Sequence, residues 1–482
     1  MDPLVKVGGL ADVICSLPKK LRTNGCNIRI VIPNYRVVKQ HLKELSLMPV
    51  EDEINFKINI YNISFEFTIS QVEISGIRIV LVDNNDMFDR EHVYCTPQAD
   101  YQDNYLRFGA FCLAALESSR LINFKPDIIH CHDWHTAYIP IFLKNNTNLI
   151  NDFSFFEDSK IVYSIHNIAY QGVYDMHLFN IFNFPSYVYS PLGLEYYGKV
   201  NLMKGGIIYS DLVTTVSPTY SKEIKTPLIG KGLEGVISDI SERRNNLVGI
   251  LNGIDYEKWD PGTDNLLYHK YSNDNLGNKL MNKFELKSQF NLSTGEDKPL
   301  IGMVCRLAEQ KGIDLVVESL DRIIKLGYQV IIIGSGEERY INMLNNENRK
   351  HEGNFCALVK YNDKIARRIY AGSDIFLMPS RFEPCGLGQI IALRYGTIPV
   401  VRATGGLIDT IVDYNTHPID GFGFMFDDFT IASLTSCLKK VYKLYNDSEK
   451  WLELVKRAMK VRYSWDDSSK IYIHEYNKLM DL

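Results

Sequence analysis

The chain predicts an α/β fold of two tandem, doubly wound domains, and three observations carry that expectation. Short apolar runs rich in β-branched residues alternate with helical patterns, the signature of parallel βαβ units. At 482 residues the chain exceeds what one hydrophobic core usually serves, and divides into domains of about 200–250 residues. A polar, structure-poor stretch at 255–298, rich in Asn, Asp and Lys, stands between two such alternating series. Two such domains in tandem predict a ligand cleft at the carboxyl ends of both sheets.

In the first half the expected strands are 28–32, 127–131, 161–165 and 212–216. Residues 54–82 alternate polar and apolar and read as a hairpin insertion. The boundary falls near 245–251, which gives domains of 1–245 and 246–464. In the second half the strands are 300–304, 330–333, 355–359, 375–378 and 397–401, with helices at 313–325, 365–371 and 387–395 between them. The last segment, 465–482, reads as a helix with apolar positions at Ile471, Ile473, Tyr476 and Leu479.

Composition narrows the function. A net charge of −5 argues against nucleic acid or an anionic membrane as the main partner. No apolar run is long enough to span a bilayer, and no signal peptide is visible. Nine scattered cysteines without C-x-x-C or framework spacing read as reduced thiols in a cytosol-like compartment.

The glycine loop around Gly8 and Gly9 follows Lys6 and feeds a helical pattern at Leu10, Val13, Ile14, Leu17 and Leu21. Such a loop lets backbone N–H groups and the helix N-terminus approach an anion. A strand normally precedes a loop of this kind, and only five residues stand before Lys6, so the start reads as incomplete. In the second half, Gly386, Leu387 and Gly388 follow a strand end and open a helix, which offers N–H donors to a phosphate. Glu383, just before them, would lie where a sugar joined to that phosphate sits. Arg306 and Lys311 span a strand-to-helix turn and could converge on one diphosphate as its charge builds.

The run from His130 to His135 tempts a zinc reading, but neighbouring residues leave a strand on opposite faces, so no metal site is expected. Asp133 and Trp134 instead read as shaping a sugar or acceptor subsite, and His166, at a strand tip, faces the expected cleft. Gly230 to Gly235 matches G-x-G-x-x-G by letter but follows no convincing strand, and reads as a flexible loop. No D-x-D pair is present to hold a metal against a diphosphate, and no cofactor is called for.

These motifs, in this order, resemble the bacterial glycogen synthase and plant starch synthase family, glycosyltransferase family 5, of GT-B fold with two Rossmann-like domains and an interdomain cleft. The markers run along nearly the whole chain: 6–12, 130–135, 164–171, Val216 to Tyr220, Leu251-Asn252-Gly253, Arg306 with Lys311, 379–389 and Thr404 to Leu407. The resemblance implies transfer of glucose from ADP-glucose to the non-reducing end of an α-1,4-glucan, with retention at the anomeric carbon; the alternatives are a GT-B transferase that uses UDP-glucose and a non-catalytic glucan-binding homologue or fragment. It implies that Lys6, Gly8 and Gly9 face the donor diphosphate and sugar, that Asp133 and His166 line the glucosyl site, and that Arg306 and Lys311 hold the phosphates. Glu383 would contact the transferred glucose, Asn252 matches the family's site asparagine, and Tyr361 the aromatic residue near the donor base. It implies a helix at 465–482 that crosses back onto the first, acceptor-side domain. It also implies a cytoplasmic protein, or a plastid one if a targeting segment has been lost. The family's opening strand is absent ahead of Lys6, Lys360 stands where relatives often have glycine, and Gly388 supplies a backbone donor but no hydroxyl.

Overall fold

A computed structural model describes residues 1–96, 99–145, 149–150, 152–295 and 297–481. It separates into two compact units: 1–216 with 221–250 and 465–482, and 217–220 with 251–464. Leu482, the end of the expected last helix, lies outside the described residues.

The first unit holds β1 (Arg29–Pro33), β2 (Ile54–Ile60), β3 (Ile63–Ile74) and β4 (Ile77–Asp83) in one sheet of order β1-β4-β3-β2. Strands β2 and β3 form the expected hairpin, but β4 pairs parallel with β1 and is part of the α/β sheet itself. The alternation at 54–82 concealed that change of role, because an antiparallel neighbour on one side and a parallel one on the other leave the same local pattern. Strands β5 (Ile128–His132) and β6 (Lys160–Ile165) begin a second sheet. A small antiparallel sheet follows, with β7 (Val173–Tyr174), β8 (Glu195–Tyr196) and β9 (Lys199–Asn201). Then β10 (Leu212–Thr215) and β11 (Leu247–Gly249) complete the parallel order β11-β10-β6-β5. Among the described residues β1 pairs only with β4, and β5 only with β6. The first unit therefore has two four-stranded sheets where the sequence suggested one.

Helix Gly9–Thr23 forms because Val13, Leu17 and Leu21 recur every fourth residue and bury one stripe. That stripe packs on Trp465 and Tyr472 of the last helix, Trp465–Leu479, and on Ile250. Each such side chain contributes roughly 1.5–3 kcal/mol by leaving water.

The second unit holds β12 (Leu300–Val304), β13 (Gln329–Ile333), β14 (Phe355–Leu358), β15 (Ile375–Met378), β16 (Ile398–Arg402) and β17 (Phe424–Phe426), all parallel, in the order β14-β13-β12-β15-β16-β17. Every residue of β13 is buried, as expected for a parallel strand covered on both faces.

Two expectations fail here. The stretch 255–298 contains helix Gly277–Gln289, whose inward face carries Lys279, Asn282, Lys283, Leu286 and Lys287. Lys279 Nζ donates to the carbonyls of Ala371 and Ser373, and Lys283 pairs with Asp374 at 2.9 Å. A helix buried through lysines has no apolar stripe to read. The segment Gly230–Gly235 is a junction between helices Pro227–Gly230 and Glu234–Arg243 rather than a loose loop. There the Gly232 N–H donates to Glu234.

Candidate active site

In the second unit the carboxyl ends of β12 and β15 gather the charged groups. Glu383 follows β15 and is 5% exposed. Its two carboxylate oxygens accept from Lys311 Nζ at 2.8 and 2.6 Å, and Oε2 also accepts from Ser380 Oγ at 2.8 Å. The backbone around it is clamped on every side. Arg381 N–H donates to the Gln310 carbonyl, and Gln310 Nε2 donates to the Phe382 carbonyl. Arg402 Nε donates to the Ser380 carbonyl, Ser217 Oγ to the Pro384 carbonyl, and Gly406 N–H to the carbonyl of Glu383 itself.

Lys311 ends a single 3-10 turn, and Gly312 follows at φ +68. A Cβ on Gly312 would lie 2.3 Å from the Pro379 carbonyl oxygen, so this turn sits flush against the Glu383 loop. The Cys305 thiol, at the end of β12, is pushed up to about 12 chiefly by burial, and the charges of Lys311, Glu383 and Arg306 all act on it. Arg306 is exposed.

Asn252 is 6% exposed and its Oδ1 has no hydrogen-bond partner among the described residues. Tyr361 is 46% exposed, with its hydroxyl 3.2 Å from Asp363 Oδ1. Gly386 adopts φ +74, and Leu387 precedes the seven-residue helix that Gly388 opens, Gly388–Arg394.

In the first unit Asp133 follows β5 at φ +55 and accepts the backbone N–H of His166 at 2.8 Å. Burial raises its carboxyl, against backbone bonds from His166 and Asn167 that lower it. His166 caps β6, and its Nε2 lies 3.0 Å from His132 Nδ1. His132 in turn stacks on His130 at 4.2 Å between ring centroids. Burial holds all three imidazoles below their ordinary range, His130 to about 3. Trp134 does not shape an open subsite. It is 8% exposed, stacked on His135 and edge-on to Phe108. Gly172, at φ +64, lies so close that a Cβ there would approach the indole to 2.6 Å.

Lys6 Nζ pairs with Asp12 at 2.7 Å and with Asp2 at 3.3 Å. Among the described residues nothing lies within 4 Å of a Cβ placed on Gly8 or Gly9, and neither has positive φ, so no described contact requires glycine at these two exposed positions.

Sequence reasoning missed Ser380 and the histidine stack. The signal for the stack was present, since His130 and His132 are two apart on one strand and share a face.

The family profile described as starch synthase catalytic domain matches residues 1–239, and that of glycosyl transferases group 1 matches 285–459. Glycogen synthase 2 of Geobacter sulfurreducens is 42% identical over 479 residues, covering 99% of this chain and 97% of that protein. The chain belongs to the glycogen and starch synthase family. The glycogen synthase of Thermotoga maritima is 38% identical, with 99% and 97% covered. Among solved structures, the catalytic domain of starch synthase IV from Arabidopsis thaliana, bound to ADP and acarbose, matches with a TM-score of 0.88 and 32% identity, over 100% of this chain and 98% of that one. Sucrose-phosphate synthase from Thermosynechococcus elongatus shares the fold at a TM-score of 0.59 and 14% identity, over 98% of this chain and 94% of that one. As a member of this family the chain is a glucosyltransferase of glycogen or starch synthesis with the two-domain GT-B fold. No described helix is long and apolar enough to cross a membrane.

Proposed function

We propose that this glycogen synthase homologue moves glucose from ADP-glucose to the non-reducing end of an α-1,4-glucan, with retention of configuration. The observation that carries the reading is the Glu383–Lys311–Ser380 cluster at the ends of β12 and β15. A carboxylate whose two oxygens both take hydrogen bonds from an ammonium is a poor nucleophile. That favours same-face attack, with the leaving phosphate accepting the acceptor's proton, over a covalent glucosyl-enzyme. Catalysis then rests on positioning and on neutralising the departing diphosphate. Arg306 and Lys311 would supply the cationic charge, with Asn252, Gly386, Leu387 and Gly388 along the donor and Tyr361 beside its base. The second unit is thus the nucleotide-sugar side.

The first unit would carry the acceptor side, with Asp133 and His166 on the glucosyl group and Lys6, Gly8 and Gly9 toward the diphosphate. Open space around Gly8 and Gly9 suits a close ligand approach. ADP is favoured because the Arabidopsis starch synthase structure was determined with it. Nine scattered cysteines without C-x-x-C or framework spacing support a reducing, cytosolic setting.

Purified protein assayed with radiolabelled ADP-glucose and UDP-glucose on glycogen tests the proposal. Incorporation from ADP-glucose at a kcat/KM at least tenfold above that for UDP-glucose is expected. Preference for UDP-glucose would overturn the donor assignment, and transfer from neither would overturn the reaction.

A further inference from the structure

A row of polar groups runs away from His166 into the first unit. His132 Nδ1 sits 3.0 Å from His166 Nε2, and the two rings are 5.3 Å apart at 40°. His132 is held from both sides. Its backbone N–H donates to Thr136 Oγ1 at 2.6 Å, its carbonyl accepts from the same hydroxyl at 2.9 Å, and its ring stacks on His130.

His130 cannot turn, because both its nitrogens are occupied. Nδ1 lies 2.7 Å from Tyr476 Oη, and Nε2 lies 2.7 Å from Ser164 Oγ, which is itself 2.5 Å from Thr214 Oγ1. Each of these hydroxyls can donate or accept, so the row satisfies His130 in either tautomer while holding its ring in place. The stack is a fixed platform for His132.

Two neutral imidazoles with nitrogens 3.0 Å apart share one proton, so one donates and the other accepts. Which one decides what His166 offers from its remaining nitrogen. The Asp133 carboxylate holds the His166 backbone N–H, and its charge acts on the imidazole. Of the two ring nitrogens Nδ1 lies nearer the backbone, where that carboxylate sits, so the anion favours the tautomer with its proton on Nδ1 and Nε2 as acceptor.

We propose that His132 is a positioning residue that donates from Nδ1 to His166 Nε2 and so fixes His166 as an N–H donor at Nδ1. On the reading that His166 lines the glucosyl site, that N–H is a ready donor to a sugar hydroxyl or to oxygen charge that grows during transfer. His132 touches no substrate and acts only through His166, as an outer partner does for a metal-bound histidine.

The test uses full-length protein labelled with 15N-histidine, together with His132→Phe, His132→Asn and His132→Gln. In the unaltered protein the 15N signals of His166 should be pyrrole-like at Nδ1 and pyridine-like at Nε2. The reverse assignment overturns the proposal without any variant. His132→Phe keeps a ring on the stack but loses the bond. It should lower kcat about tenfold or more, leave donor and glucan KM within threefold, and broaden or mix the His166 signals. Asn places its amide near the position of Nδ1 and should restore most of kcat, whereas Gln reaches toward Nε2 and should not. Unchanged kcat in His132→Phe, or equal rescue by Gln and Asn, contradicts the assignment. His166→Ala separates the layers. Undiminished transfer there removes the reading of His166 and this proposal with it, whereas a large loss there beside none in His132→Phe removes only the role of His132.

Discussion

Lys311 Nζ lies 2.8 and 2.6 Å from the two carboxylate oxygens of Glu383, with 16% and 7% of the two side chains exposed. Two residues 72 positions apart are thus joined into one nearly dry ion pair. The turn that ends β12 and the loop that follows β15 are locked together by it.

Breaking that pair from one side leaves a buried charge without a partner. Lys311→Ala should destabilise the second unit by about 3–5 kcal/mol and lower both donor affinity and kcat. Lys311→Met combined with Glu383→Gln should recover most of the stability and none of the activity. Chemical denaturation paired with donor kinetics checks both, and a double variant no more stable than Lys311→Ala would contradict the pairing argument.

Gly312 holds the Lys311 turn at φ +68, with the Pro379 carbonyl where a side chain would go. Gly312→Ala is expected to cost roughly 1–3 kcal/mol from backbone strain and crowding, and to lower kcat by moving Lys311 off Glu383. A Tm and kcat equal to those of the unaltered protein would show that the contact is not tight.

Gly9 predicts the opposite split. No atom lies within 4 Å of an added Cβ and its φ is not positive, so Gly9→Ala at the helix start should hold or raise Tm by the equivalent of about 0.4–1 kcal/mol. If the loop meets the donor diphosphate, donor KM rises several-fold in the same variant. A drop in Tm with unchanged KM would reverse both halves.

Acid should weaken the first unit. Burial holds the imidazoles of His130 and His135 at about 3, helped for His130 by His166 and for His135 by Arg107. Both are neutral in the fold, while the unfolded chain takes up protons near pH 6.5. Their folded-state pKa is lowered, so the stability they permit is fully present above pH 6.5 and falls as pH drops toward 3. Between pH 6.5 and 5 the loss is about 2 kcal/mol for each histidine. Thermal melts across that range should show it, and His135→Leu should flatten the slope. A pH-independent Tm would mean that these rings are solvated.

Most of the second unit was legible because parallel strands covered on both faces are written as unbroken apolar runs. The expected strands 300–304 and 375–378 match β12 and β15 residue for residue. Glu383 was legible because proline and glycine on its C-terminal side marked a rigid turn at a strand end. Its ion pair was not, since nothing local to either residue records a contact between residues 311 and 383. Helix Gly277–Gln289 was hidden because lysine stems fill its inner face and their ammonium groups are satisfied by carbonyls and by Asp374. Trp134 misled because an aromatic at a strand end looks the same in sequence whether it faces a ligand or a glycine such as Gly172.

The central claim is that Glu383, held by Lys311, takes part in glucosyl transfer. Glu383→Gln keeps the size and one acceptor oxygen while removing the charge, so the most direct measurement is its rate of glucose incorporation into glycogen from ADP-glucose at saturation, with folding checked by circular dichroism. A folded variant with kcat lower by about 100-fold or more and glucan binding retained is the expected result. A folded variant whose kcat stays within twofold of the unaltered protein would contradict the claim.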